Sequence, residues 1–357
     1  MFCYVGSRTT RERNARGEGI SVYRWDEATA SLELVQVRRD LVNPSYLALA
    51  RGGTRLYAVH GDLDYASSFA VDALTGRIEF LNQQSTHGKN PVHLALDPRE
   101  EVLIVSNYKT SSLAVMPVTA DGTLMPIRHL LTLDGPPGPH RAEQLAPHPH
   151  HSGFDPSGRF VVVPDKGGDR VYVLRLEEGS LHFAQTPFVS SREASGPRHH
   201  VFDPGGHRAY VVNELNCTVT SYAFDPSTGE LSAEQVASTL PDTFAGDARA
   251  SAIAIGPRGD VLYVSNRGHD SLSVFRIESD TGRLSLIQSV SAEGVKPRFF
   301  TIAPNGRTAF VLNEDSDSIV PFAVNPERGT LSRTGSAITC GSPVCMVFRA
   351  TMEGAVR

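Results

Sequence analysis

GPRHHVFDPGGHRAYVVN, residues 196–213, contains two short apolar runs on either side of a DPGG turn, with its ionisable residues gathered at the ends. The alternation on each side of a tight turn is the pattern of a β-hairpin. Five other stretches align with it: NPSYLALARGGTRLYAVH (43–60), NPVHLALDPREEVLIVSN (90–107), PHHSGFDPSGRFVVVPD (149–165), RASAIAIGPRGDVLYVSN (249–266) and KPRFFTIAPNGRTAFVLN (296–313). A period near 40–50 residues with about four strands per unit predicts a β-propeller.

Outer strand-turn-strand pieces such as FDPSTGELS, IESDTGRLS and VNPERGTLS occur seven times, one more than the inner hairpins. The missing hairpin lies at the chain ends, where SPVCMVF (342–348) supplies a first strand and MFCYVG (1–6) and GISVYRW (19–25) supply the rest. The sequence therefore predicts an all-β, seven-bladed propeller formed by residues 1–357 as one domain, its ring closed by a blade shared between 1–42 and 342–357. Such closure removes free sheet edges. An open β-sandwich is the competing architecture and leaves the sixfold alignment unexplained.

The 357 residues carry a net charge of −5 with no basic block, which argues against a nucleic-acid or membrane-surface partner. MFCYVGSRTT lacks the layout of a secretory signal, and no stretch approaches the roughly 20 apolar residues that span a bilayer, so cytoplasmic residence is expected. Cys3, Cys217, Cys340 and Cys345 are too scattered for a disulfide framework or a zinc site.

In a propeller the innermost strand follows the central channel and the next strand returns, so the start of the first and the end of the second reach the same mouth. Around that mouth the first strands offer Ser45, Val92, His150, Arg198, Ser251, Arg298 and Val344. The second strands offer His60-Gly61, Asn107-Tyr108, Asp165-Lys166, Asn213-Glu214, Asn266-Arg267 and Asn313-Glu314. Cations, imidazoles and carboxylates thus share one concave place, as a small-molecule site requires. The repeated Asn residues suit local backbone bonding, His199 and His200 suit strand packing as well as a site, and Arg298 with Glu314 suits an ion pair. His150, Arg198, Glu214 and Arg267 stand out because charge replaces small or apolar residues at equivalent positions.

Motifs for serine hydrolases, zinc proteases, P-loops and dinucleotide binding are absent from the sequence. HPHH (148–151) places two histidines on one side of a strand, without a partner at fixed spacing for a metal; no metal is expected. Arginines near one carboxylate and one imidazole suit an anionic substrate whose carbonyl is polarised while Glu or His moves a proton. The insert DGPPGPHRAEQLAPHPHH (134–151) is long enough to form a lid or a rim wall.

GPRHHVFDP with VVNELN, VSNYKTSSLAVMPV (105–118), PHPH before FDPSGRFVVVPDKGGDRVYVL (154–174), and NPSYLAL together resemble the seven-bladed lactonase family. That family includes propeller-type 6-phosphogluconolactonases and fungal carboxy-cis,cis-muconate cyclases. The resemblance covers essentially the whole chain and implies a propeller, a mouth-side site, no required cofactor and a small anionic lactone as substrate. By position it implies catalytic roles for His150, Arg198, Glu214 and Arg267. Substrate-binding roles are expected at His148, Asp165, His199 and Arg298. The 134–147 insert departs from the family's usual rim loop, so substrate choice is what this segment would set. Hydrolysis of a sugar-acid lactone such as 6-phosphogluconolactone, with Glu214 or His150 activating water, is the leading expectation. A muconate-type cyclase would use the same groups in the closing direction, and a non-catalytic binding platform would instead need an apolar face. Oligomeric state is not encoded in these features.

Overall fold

Seven antiparallel sheets follow one another around a central axis in the computed structural model, which describes residues 1–349. Blade 1 runs from its inner strand Pro44–Leu49 to its outer strand Ile78–Ser85, and blade 2 from Pro91–Leu96 to His129–Thr132. Blade 3 runs from Gly153–Phe154 to Ser180–Ser190, blade 4 from Pro197–Phe202 to Leu231–Ser238, and blade 5 from Arg249–Ile255 to Leu284–Ser291. Blade 6 begins at Pro297–Ile302, and its outer edge is split between Leu331–Arg333 and Ile338–Thr339.

Blade 7 takes its inner strand, Pro343–Phe348, from the C-terminal side and its other three, Phe2–Ser7, Ile20–Asp26 and Ser31–Arg38, from the N-terminal side. The two sides pair antiparallel with Tyr4 opposite Val347 and Val5 opposite Met346. The ring therefore closes as the sequence predicts; the part of the shared blade expected at 350–357 lies outside the described residues. Among the described residues the one helical segment is a single 3-10 turn at Arg11–Arg13, and no helix is long and apolar enough to cross a membrane.

Alternation dictates where the apolar side chains go. Each strand has one row facing each neighbouring blade, so the core is divided into seven clusters, one per junction. Side-chain amides add bridges at four outer edges. Gln36, Asn82, Gln235 and Gln288 each both donate to and accept from the backbone of one residue in the next blade: Ile78, Leu124, Leu284 and Leu331 respectively. The DPxG turns face the other end of the channel, where Asp97, Asp155 and Asp203 accept N–H bonds from their own turns. The turn residues are structural.

One irregularity recurs in every blade. Pairing skips a residue at the start of each inner strand: Pro197 faces Asn213 but His199 faces Val212, leaving Arg198 bulged. The same extra residue places Ser45, Val92, Arg298 and Val344 in bulges, and it falls within 150–152 in blade 3 and at 251–252 in blade 5. A bulge re-aims a side chain. Six of these positions, Ser45, Val92, His150, Arg198, Arg298 and Val344, line one throat on the axis. Below it the channel holds a run of imidazoles, buried at His93 and His200 and half-buried at His151, with His93 and His151 rings 3.8 Å apart and His151 Nδ1 3.0 Å from His200 Nδ1.

Gly6, in the closing strand, has no room for a Cβ, which would stand 2.2 Å from the Pro44 carbonyl oxygen of blade 1. Gly6→Ala is expected to lower the thermal-unfolding midpoint by the equivalent of about 1–3 kcal/mol, the usual cost of overpacking. Gly52→Ala, whose methyl meets only Thr54 Oγ1 at 3.9 Å, is the matched control. An unchanged midpoint for Gly6→Ala would mean the blade 7–blade 1 junction yields freely.

Burial pulls His93, His151 and His199 well below the ordinary imidazole value of 6.5, His60 to about 4 and His200 to about 3. The unfolded chain then takes up protons first as pH falls. Stability present at neutral pH is accordingly lost once pH drops below about 6.5, where unfolded imidazoles charge. Urea midpoints should be lower at pH 5.5 than at pH 7.5; equal midpoints would contradict the neutral, buried assignment.

Candidate active site

Bulges and strand ends supply two rings of side chains at one mouth. The bulge ring is the throat just described. The second ring follows the last residue of each second strand: Gly61, Tyr108, Lys166, Glu214, Arg267 and Glu314. In blade 7 Ser7 pairs with Pro343 as Asn213 pairs with Pro197, so Arg8 takes the seventh place. The Asn residues preceding this ring are structural, as the sequence suggests. Asn107, Asn266 and Asn313 donate to the carbonyls of Thr86, Thr239 and Ala292, and Asn213 donates to Thr218 and Thr220.

Between the rings lies a cavity of about 550 Å³, whose wall includes Arg8, Tyr108, His150, Lys166, Glu214, Arg267 and Arg298. It narrows to the throat, about 10 Å³, lined by Arg8, Tyr46, His150, Arg198, His199 and Arg298 among others. The throat has room for about one water. A depression of about 600 Å³ on the turn side, lined by segments 97–99 and 157–159 together with Glu101, Arg128 and Glu178 among others, contains no imidazole. The chemistry belongs to the mouth.

Glu214 is the electrostatic centre. Its Oε1 receives a hydrogen bond from Lys166 Nζ at 2.8 Å, while Oε2 lies 2.8 Å from Arg198 Nε and 3.2 Å from Arg267 Nη2. The Arg198 contact is an ion pair off the hydrogen-bonding line, because Nε has no hydrogen-bond partner. Burial alone would raise the pKa of Glu214, but Arg267, Lys166 and Arg198 override it and hold the carboxyl well below its usual range. Arg198 is anchored further by donating to the Ser251 carbonyl at 2.8 Å, and Arg267 by donating to that of Ala250 at 3.0 Å. Arg298 sits 3.9 Å from Glu314, which also pairs with Lys296 at 3.3 Å.

His150 lies against Tyr108 and His199, with ring centres 5.5 and 5.4 Å away. Burial first, then Arg198, pushes its pKa well below the ordinary imidazole value, so the ring is neutral, and its Nδ1 has no partner. Buried polar atoms without a hydrogen-bond partner gather here: Arg8 Nη1, Ser45 Oγ, His150 Nδ1, His199 Nε2 and Arg267 Nε. Such groups rarely stay unsatisfied inside proteins, so their concentration marks a place for a polar ligand or water.

His150, Arg198, Glu214, Arg267, His199 and Arg298 are therefore brought together as the sequence predicts. His148 and Asp165 do not line the cavity or its throat. Asp165 is wholly buried behind the wall, where one oxygen accepts the N–H groups of His148 and Gly167, and burial lifts its carboxyl to about 6 against those bonds. His148 stacks on Tyr108 at 4.3 Å, with Nδ1 bound to the Tyr108 carbonyl at 2.8 Å. Both hold the 134–151 insert in place. Gln144 donates to the Lys166 carbonyl, Gly138 to that of Gly167, and Glu143 pairs with Lys166 and Arg249. The insert is a pinned wall in this structure, not a lid.

Lys166, Tyr108 and Arg8 are site residues that the sequence reading undervalued or missed. For Lys166 and Tyr108 the signal was their second-ring position; for Arg8 it was the register of the closing blade, which the repeat alignment leaves out.

Comparison with known proteins agrees with this geometry. The family model described as "Lactonase, 7-bladed beta-propeller" matches residues 2–348. A Bacillus subtilis protein named 6-phosphogluconolactonase is 33% identical over 299 residues, 83% of each chain. A Formosa agariphila protein of the same name is 30% identical over 312 residues, 84% of this chain and 85% of the relative. The solved structure of a periplasmic gluconolactonase from Pseudomonas aeruginosa superposes with a TM-score of 0.91 at 32% identity, covering 98% of this chain and 99% of the other. With a channel-mouth site built on a closed ring of seven blades, and a family model spanning nearly its full length, the chain belongs to the seven-bladed β-propeller lactonase family.

Proposed function

We propose that this protein hydrolyses a sugar-acid lactone, 6-phosphogluconolactone being the substrate that fits best. The observation that carries the reading is one carboxylate shared by three cations beside a neutral imidazole with an unpartnered nitrogen, all at one cavity and the throat beneath it. The names of the relatives from Bacillus subtilis and Formosa agariphila support the substrate class. Four unpaired, buried thiols suit a reducing, cytoplasmic compartment.

His150 is the proton acceptor. Its ring is uncharged and its Nδ1 is available, whereas both oxygens of Glu214 are occupied by cations. Water attacks the lactone carbonyl as His150 removes one of its protons, and the charge on the carbonyl oxygen is met by Arg198 and Arg267. Collapse breaks the ring C–O bond, and the imidazolium returns its proton to the departing alkoxide. Glu214 fixes the spacing and orientation of the two arginines and Lys166. Without it, three cations would crowd a poorly solvated site, at a cost of about 3–5 kcal/mol for a broken buried pair.

Purified protein should release acid from 6-phosphogluconolactone at pH 7 faster than buffer alone; activity on muconates and none on lactones would reverse the assignment to cyclisation. His150→Gln should lower kcat by about 10²–10⁴-fold, the worth of a positioned acid–base group, and leave KM within a small factor. Glu214→Gln should lower both kcat and the unfolding midpoint. If His150→Gln turned over normally, the base would be another group.

Activity should depend on pH accordingly. Because burial depresses the His150 pKa, kcat/KM for glucono-δ-lactone, which has no phosphate to titrate, should stay flat through pH 6.5 and fall only in more acidic buffer, and His150→Gln should erase that limb. A limb centred at the ordinary imidazole value would place His150 in contact with bulk water.

A further inference from the structure

The second ring holds one buried cation that the hydrolytic arrangement does not use. Arg8 is 3% exposed and lines both the cavity and the throat. It forms no ion pair among the described residues, and its Nη1 has no hydrogen-bond partner. Every other arginine of the two rings has a carboxylate: Arg198 and Arg267 share Glu214, and Arg298 faces Glu314.

The position is built. Arg8 donates its backbone N–H to the Ser342 carbonyl at 3.0 Å and accepts from Gly17 N–H at 3.1 Å. Blade 1 leaves space for the guanidinium: a Cβ on Gly61 would stand 2.2 Å from Nη1 and 3.0 Å from Ser45 Oγ. Arg13, on the same N-terminal loop, lines the outer part of the cavity and is already tied to Asp62. Asp62 and Glu314 are the carboxylates near enough to Arg8 to help offset its charge, and neither reaches it.

A guanidinium kept from water without a counter-charge is costly, and the cost is met when a ligand supplies the charge. An uncharged lactone ring cannot do so. Its carbonyl oxygen becomes negative only during reaction, and the Arg198–Arg267 pair serves that oxygen. The remaining charge on a phosphorylated sugar lactone is the phosphoryl group at the far end of the molecule.

We infer that Arg8 is a specificity-determining residue whose guanidinium binds the phosphoryl group of the lactone, in the same cavity that the Glu214 cluster lines. This rests on the lactone-hydrolase reading for the rest of the molecule, but not for the phosphate itself. The subsite takes a phosphate monoester dianion, held by the bidentate geometry that guanidinium offers.

Two measurements test it. The first is the ratio of kcat/KM for 6-phosphogluconolactone to that for glucono-δ-lactone, in the natural protein, Arg8→Met and Arg8→Lys. Arg8→Met should reduce the ratio by about 10- to 100-fold, the range for losing charge-assisted hydrogen bonds, and Arg8→Lys should recover part of it. A ratio unchanged in Arg8→Met would overturn the assignment, because a merely structural arginine would affect both substrates alike. The second is calorimetric titration with inorganic phosphate, which needs no turnover. Binding by the natural protein that is lost or weakened at least tenfold in Arg8→Met supports the subsite; equal affinities, or no binding by either, overturn it. Should neither lactone be hydrolysed while phosphate binding still depends on Arg8, the hydrolase reading fails and the subsite stands. Thermal unfolding guards against misfolding: Arg8→Met removes an unpaired buried charge and should melt no lower than the natural protein.

Discussion

Pairing of Phe2–Ser7 with Pro343–Phe348 is the constraint on which the molecule depends. Two of the seven apolar clusters, those joining blade 7 to blades 6 and 1, contain residues from both ends of the chain: Cys3 and Val5 beside Met346, and Tyr4 beside Cys345. Opening the ring would expose both at once. A fully buried apolar side chain contributes roughly 1.5–3 kcal/mol, so a cluster of about ten holds a sizeable share of the free energy that keeps a propeller shut. Closure also brings Arg8 to line the same throat as His150.

The repeat is symmetrical in backbone and asymmetrical in chemistry. Six of the seven bulges deliver side chains to the axial throat, and the fold is indifferent to what they are. Blades 1, 2 and 7 spend theirs on Ser45, Val92 and Val344, while blades 3, 4 and 6 place His150, Arg198 and Arg298. Hydrogen bonding at a bulge is already disrupted, so a charged group there does not break an otherwise regular ladder. The propeller is a rigid holder, and its site is written by substitution at positions whose backbone does not change.

Much of this was legible in the sequence. Hairpin alternation and DPxG turns were enough to fix strand order, the common mouth and the placing of His150, Arg198, Glu214 and Arg267, since each depends only on its own blade. Bulges were not legible, because an extra residue is defined by what faces it on the next strand. Arg8 was missed for a related reason: its ring position follows from the pairing of Ser7 with Pro343, 336 positions further along the chain. Asp165 is the neighbour of Lys166, and alternation turns it into the wall, where its carboxylate serves the His148 and Gly167 N–H groups. His148 stacks on Tyr108 outside the cavity lining.

Charge balance links stability to binding. Lys166, Arg198 and Arg267 surround one carboxylate, Arg298 shares Glu314 with Lys296, and Arg8 has no ion pair among the described residues. Replacing such a network with apolar side chains often stabilises a protein, so its presence is not explained by folding. The residues lining the cavity and its throat carry more cations than carboxylates, and arginine does not give up its proton in practice. A bound anion would balance that excess, and by binding the folded state alone it would stabilise the ring by mass action.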